Sequence, residues 1–233
     1  MSKVGLDLER IVFIGRTFEE YMTMFSLSLE ELEGKKVLDC PAGACSFTAI
    51  SRQKGLEVTA CDSAYYHPDE ALANKGKQDL EHAMESVEKA KAQYVFDYFK
   101  NVADLTQHRT RALIDCAADM KQNPERYIPA ILPSLPFENE QFDIILSAHF
   151  LFTYADRLDK TFHLDVIEEL LRVAKDEIRI FPLVDLAGNR YEHLDKIVEM
   201  LKNQGHQVKE IQVPYEFQRN ANTMMKIRKK NNA

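Results

Sequence analysis

Asp39-Cys40-Pro41-Ala42-Gly43-Ala44-Cys45 lies between a short apolar run, Lys36–Cys40, and a stretch with helical signals over 46–53. A glycine at such a junction lets backbone come close to a ligand, because it has no Cβ. The amides that open the following helix can meet partial negative charge. Asp39, at the strand end, can accept hydrogen bonds from an ammonium or from loop amides. Asp62 stands 23 residues further on, after the second apolar run Leu56–Cys61. A carboxylate there can accept two hydrogen bonds from a ribose diol. Each acid taken alone reads equally well as a loop cap or a turn residue.

Other residues could act beside these. His149 follows the apolar run that ends at Ser147, and an imidazole titrating near neutrality suits proton removal; it also reads as a structural histidine. Phe150, Phe152 and Tyr154 can line a pocket or fill a core. Arg16 can pair a carboxylate through its guanidinium fork, with the Tyr21 hydroxyl near it. Arg219 and Asn222 sit in a polar turn that overhangs the same rim, where a plain hairpin turn explains them too.

These residues need a sheet to position them. Strands are predicted at 36–40, 56–61, 127–132, 142–147, 177–181, 206–213 and 222–228, with helices at 46–53, 160–174 and 190–203. Such alternation predicts a mostly parallel α/β sheet covered on both faces. Thr17 with Glu20, and Ser28 with Glu31, have the spacing of capping boxes, so residues 1–34 read as an N-terminal helical cap. Apolar positions at three- and four-residue spacing from Leu80 through Tyr94 and Phe99 to Leu105 predict one long helix, followed by another over 110–120. Residues 63–126 thus read as a helical insertion between strands two and three, in the position of a lid, within one domain spanning 1–233.

Composition narrows the function. Thirty basic against 37 acidic residues give a net charge of −7, which offers phosphate backbones no general attraction, so no nucleic-acid partner is expected. The longest apolar run, Ile144–Ala155, is interrupted by Ser147, His149 and Thr153 and is too short to span a bilayer. Asp7 and Glu9 stand where a signal peptide needs apolar residues. Cys40, Cys45, Cys61 and Cys116 lack zinc-type or redox-type pairing; no metal is expected, and reduced thiols in a cytoplasm are. The basic run Lys226–Lys230 reads as a solvated terminus.

Leu135-Pro-Phe-Glu-Asn-Glu-Gln-Phe142-Asp-Ile-Ile-Leu-Ser147 closely resembles the segment leading into the fourth strand of class I, Rossmann-like, S-adenosylmethionine-dependent methyltransferases. The 39–45 loop resembles their first motif, acidic-x-Gly-x-Gly-x-Gly. The resemblance spans roughly 35–62 and 127–229. It implies a seven-stranded, mostly parallel sheet with an antiparallel last strand and helices on both faces. S-adenosyl-L-methionine would be the cofactor and methyl transfer the reaction. By position, Asp39, Ala42 and Gly43 would lie beside the methionine part and Asp62 at the ribose. Ala130 and Ile131 would lie at the adenine, and Ser147 at the end of the fourth strand. Arg16 and Tyr21 would complete the cofactor site, with His149 as the catalytic candidate and Phe150, Tyr154 and Arg219 facing the substrate. The sequence departs from the pattern at Pro41 and Cys45, which replace glycines, and at Ile131, which stands where an adenine-binding acid is expected. The acidic balance favours a small-molecule acceptor. A non-catalytic binding or sensor module on the same fold is the alternative. A nicotinamide-dinucleotide dehydrogenase would need a G-x-G-x-x-G fingerprint, and position 46 is Ser.

Overall fold

A computed structural model describes residues 12–230; Asp7, Glu9 and the first part of the predicted cap lie outside it. Seven strands form one sheet: β1 Lys36–Asp39, β2 Glu57–Asp62, β3 Tyr127–Pro129, β4 Phe142–Ala148, β5 Ala174–Phe181, β6 Gln207–Gln212 and β7 Thr223–Arg228. Their order is β3-β2-β1-β4-β5-β7-β6. The pairs among β1 to β5 are parallel, whereas β7 runs antiparallel to both β5 and β6. This is the sheet that the class I resemblance implies.

Period-two alternation puts an apolar layer on each face. Leu38, Ile145, Ile178 and Ile227 pack with helices α6 (Lys160–Val173) and α7 (Leu194–Asn203). Val37, Val58, Ile144 and Leu146 face the other way, toward α1 (Phe18–Met24) and α3 (Phe47–Gln53). Sequential βα crossovers demand this arrangement, since each parallel pair needs a helix to return the chain. Helix α1 starts with a complete capping box between Thr17 and Glu20 and stacks Phe18 and Tyr21 on Phe47 of α3. Ser28 caps the one-turn helix α2 (Leu29–Leu32) by accepting from the Glu31 amide.

The insertion departs from the sequence reading. Instead of one helix through 80–105, α4 (Asp69–Lys89) is capped at Ala90, a single 3-10 turn (Lys91–Gln93) and a non-helical stretch follow, and α5 (Val102–Gln122) absorbs the expected second helix. Tertiary pairing overrides the helical spacing here. Tyr94 bridges Gln218, the Val95 amide donates to the Phe217 carbonyl at 2.7 Å, and Phe96 and Phe99 pack edge-on against Phe217. Asn101 then restarts the helix, its side chain accepting from the Asp104 amide. The basic run is a second correction. Lys226 and Arg228 belong to β7, and Lys226 pairs with Glu177 at 2.8 Å while Lys229 pairs with Glu140. No helix among the described residues is long and apolar enough to cross a membrane.

Candidate active site

A cleft of about 510 Å³ opens beyond the carboxyl ends of β1, β2, β3 and β4, where open α/β sheets bind their ligands. Two elements build its floor. The loop after β1 turns at Gly43 in the left-handed region, φ +56°, a conformation that costs other residues a Cβ clash. Asp62, at the end of β2, holds this turn: one carboxylate oxygen accepts from the Gly43 amide at 2.8 Å and the other from the Ala64 amide at 2.8 Å. A carboxylate offers about four lone-pair sites, so two remain for a ligand.

The N-terminal segment lies directly on this loop. A Cβ at Gly15 would fall 1.9 Å from the Ala44 carbonyl oxygen, so only glycine permits the contact. The Arg16 amide donates to Cys45 Sγ at 3.3 Å and its carbonyl accepts from Ser46 at 3.0 Å. These bonds set Arg16 on the wall of the cleft, with its Nε buried and without a partner. His149 also lines the cleft, directly after β4, with φ +50° and its amide donating to the Phe181 carbonyl at 2.6 Å. Its Nδ1 is buried and unpartnered. Burial, with the positive charges of Arg16 and Arg109 behind it, holds the imidazole well below its ordinary pKa.

Asp39, Tyr21 and Ser147 lie behind the cleft instead of on its wall. Asp39 is fully buried; the Tyr21 hydroxyl donates to its Oδ1 at 3.0 Å, and Oδ2 has no partner. Burial pushes this carboxyl well above the usual range against the Tyr21 bond, and the charge of Asp62 adds to the shift. Ser147 is buried within β4.

Ala42, Ala130, Ile131, Phe150 and Tyr154 line the cleft, as Gly43 and Asp62 do. The Ala130 amide is already spent on the Asp62 carbonyl at 3.2 Å, so it cannot read a ligand edge. Phe152 is core, stacked on Tyr191. Arg219 is outside the cleft: its Nε donates to the Ala92 carbonyl at 2.7 Å and its amide to that of Gln93, fastening the β6–β7 hairpin to the insertion. Asn222 donates to Glu216 within the same turn. All four cysteines are free and buried, and burial followed by the charge of Asp39 pushes the Cys45 thiol up to about 12.

Several lining residues escaped the sequence reading: Tyr94, Arg157, Leu186, Phe217 and Gln218. So did a buried knot beside the cleft. Glu20 receives Arg109 from α5 at 2.6 and 2.8 Å, Tyr215 from the hairpin at 2.8 Å, and the Thr17 amide at 2.9 Å. Burial, the largest influence, would raise the Glu20 pKa; the charge and hydrogen bonds of Arg109, with the Thr17 amide and the Arg16 charge, together outweigh it and hold the carboxyl below its ordinary value. A signal for the knot was present in Leu105-x₃-Arg109-x₂-Ala112-x₃-Cys116, an arginine on the apolar face of a helix, which demands a buried anion.

No protein-family model matches the chain. Among solved structures it is similar to a 1,6-didemethyltoxoflavin-N1-methyltransferase of Burkholderia thailandensis with bound S-adenosylhomocysteine, at 16% identity and TM-score 0.49, covering 91% of this chain and 78% of that one. It is similar at 13% identity and TM-score 0.46 to the magnesium protoporphyrin IX methyltransferase of Synechocystis with bound S-adenosylmethionine, over 86% of this chain and 73% of that one. A methyltransferase from Aquifex aeolicus matches at 17% identity and TM-score 0.43, over 90% and 91%. In sequence, the uncharacterized protein MJ0045 of Methanocaldococcus jannaschii is 35% identical over 225 residues, which is 96% of this chain and 99% of that protein. The chain therefore belongs to the same family as the uncharacterized protein MJ0045, and it is built on a seven-stranded, mostly parallel Rossmann-like sheet.

Proposed function

We propose that this chain binds S-adenosylmethionine in the cleft and catalyses methyl transfer to a small molecule. The observation that carries the reading is the Gly43–Asp62 bond, which fuses the glycine turn after β1 and the acid after β2 into one floor below an open cleft.

The residues present suit this cofactor. The cleft volume of about 510 Å³ falls within the range of roughly 300–1,000 Å³ typical of cofactor sites. The free lone pairs of Asp62 suit the ribose hydroxyls. Ile131, on the β3 side of the cleft, offers an apolar face to the adenine. The unpartnered Arg16 Nε suits the methionine carboxylate, and the unpartnered Asp39 Oδ2 behind the loop leaves a lone pair on the side of its ammonium. When bound, the cofactor supplies an activated methyl group for in-line displacement.

The chain then contributes placement and exclusion of water. The N-terminal segment, pressed onto the loop at Gly15, covers the cofactor half from above. His149 stays neutral across the physiological range, so its lone pair accepts the hydrogen bond of an acceptor X–H group and orients that nucleophile. Its depressed basicity makes it a director of the nucleophile more than a store for the proton. The insertion, tied to the hairpin through Tyr94, Val95 and Arg219, acts as a roof. The four buried, free thiols suit a reducing cytoplasm.

Isothermal titration with S-adenosylmethionine tests the reading. Binding that is weakened strongly in Asp62→Ala supports it, and absence of heat with the wild type removes it. Turnover to S-adenosylhomocysteine with a small-molecule acceptor separates an enzyme from a binding module.

A further inference from the structure

The half of the cleft beyond β4 has a composition of its own. Tyr94 and Phe217 lie nearly parallel, with ring centroids 4.6 Å apart and planes 21° from each other. They come from the insertion and the hairpin, and the Tyr94–Gln218 bridge together with the Val95–Phe217 bond fixes them as one wall. Phe150 and Tyr154 line the cleft from the turn after β4, and Leu186 from the loop after β5. Polar readers are few there. The Gln218 side-chain amide already donates to the Asp185 carbonyl at 2.7 Å. A polyhydroxylated ligand would leave most of its hydroxyls unpaired against these rings, at a cost for each.

The charge inverts that of the whole chain. Against a net −7, the ionic side chains lining the cleft among the described residues are Arg16, Arg157 and Asp62. Both Asp62 oxygens are engaged by amides. With Arg16 assigned to the cofactor, Arg157 remains. Its guanidinium lies 5.3 Å from the Tyr154 ring centre, and its ion pair is with Asp156, a largely exposed neighbour. Exposed pairs of this kind contribute little, so the arginine is readily recruited by a ligand anion. The cleft mouth carries exposed Val12, Ile131 and Leu186, an apolar rim suited to a ligand that reaches past it.

We infer that the methyl acceptor is a planar aromatic anion, its rings against the Tyr94–Phe217 wall and its acid group on Arg157. This rests on the methyl-transfer reading for the word acceptor, whereas the ligand class rests on the lining alone. Aromatic faces supply area and stacking, and a guanidinium supplies a directional partner for carboxylate.

Titration of the full chain with three naphthalene probes tests it, both with and without saturating S-adenosylhomocysteine: hydroxynaphthoate, neutral naphthol and cationic naphthylmethylammonium. Hydroxynaphthoate is expected to bind about threefold to fivefold more tightly than naphthol, a difference suited to one partly screened ion pair, and the cation most weakly. Arg157→Gln, at an exposed position that folding tolerates, is expected to erase the preference for the anion, and Phe217→Ala to weaken all three probes. Equal binding of the probes, a preference for the cation, or an anion preference that survives Arg157→Gln overturns the inference. Absence of S-adenosylhomocysteine binding, with the anion preference intact, overturns the methyl-transfer reading instead and leaves the ligand class standing.

Discussion

Glu20 and Asp39 are both buried carboxylates beside the same cleft, and they are built in opposite ways. Glu20 is saturated: Arg109, Tyr215 and the Thr17 amide cover both of its oxygens. Asp39 has one bond, from Tyr21, and an oxygen left bare. A saturated knot fastens α1, α5 and the hairpin to one another. An unsaturated carboxylate fastens nothing further, and its bare oxygen is matched by the unpartnered Arg16 Nε and His149 Nδ1 of cleft-lining residues; under the proposed function a ligand offsets their cost. The difference separates scaffold from site among residues that burial alone would group together.

The largest expected effect lies in the knot. Glu20→Ala or Arg109→Ala is expected to cost about 3–5 kcal/mol, because each leaves a buried charge without its partner. Denaturant unfolding measures this, and the double substitution Glu20→Leu with Arg109→Met is expected to cost less than either single change. Additive losses would mean that the pair is not one unit. Asp62→Ala comes next. It strips the Gly43 and Ala64 amides of their acceptor and is expected to cost about 1–3 kcal/mol of stability, together with a larger relative loss of cofactor binding.

Asp39→Asn should act in the opposite sense on stability. The amide keeps an acceptor for Tyr21 and removes the buried charge, so a gain of about 1 kcal/mol is expected at mildly alkaline pH. Because the Asp39 pKa is raised in the folded chain, its penalty is absent at acid pH and grows as pH rises through the folded value. The gain should therefore vanish on acidification, and thermal melts across pH would show it. Loss of stability at every pH would place Asp39 with Glu20 as scaffold. The smallest effect concerns His149. Its pKa is lowered on folding, so the unfolded chain binds the extra proton first and stability should fall as pH drops below about 6.5. His149→Asn, which tolerates the left-handed backbone, should remove that slope. A melting curve whose acid limb is unchanged by the substitution would show that the imidazole is not held neutral by folding.

Much of this was legible from local rules. Strand β4 follows from the continuous apolar run that ends at Ser147, and the Thr17–Glu20 capping box forms because both partners sit within one turn. The pairing of Gly43 with Asp62 is non-local, yet motif spacing placed both residues at strand ends, where the parallel register of β1 and β2 joins them. What stayed hidden depends on long-range contact. The run Tyr94-Val-Phe-Asp-Tyr98-Phe99 has helical spacing, but its aromatic side chains find better burial against Phe217 and Tyr215 than an isolated helix could offer. Arg219 looked like a ligand contact because its turn overhangs the cleft; the Ala92 carbonyl claims it instead. The stacked Tyr94–Phe217 wall of the cleft was invisible for the same reason, since the two residues are 123 positions apart in the chain.

A crystal structure of the chain soaked with S-adenosylhomocysteine tests the central claim most directly. The account predicts the ribose hydroxyls on Asp62, the adenine against Ile131 and the homocysteine carboxylate at Arg16, with the thioether sulfur facing His149. A nucleoside found elsewhere on the surface, or a cleft left empty at saturating ligand while Ile14 and Arg16 close over Gly43, would contradict it.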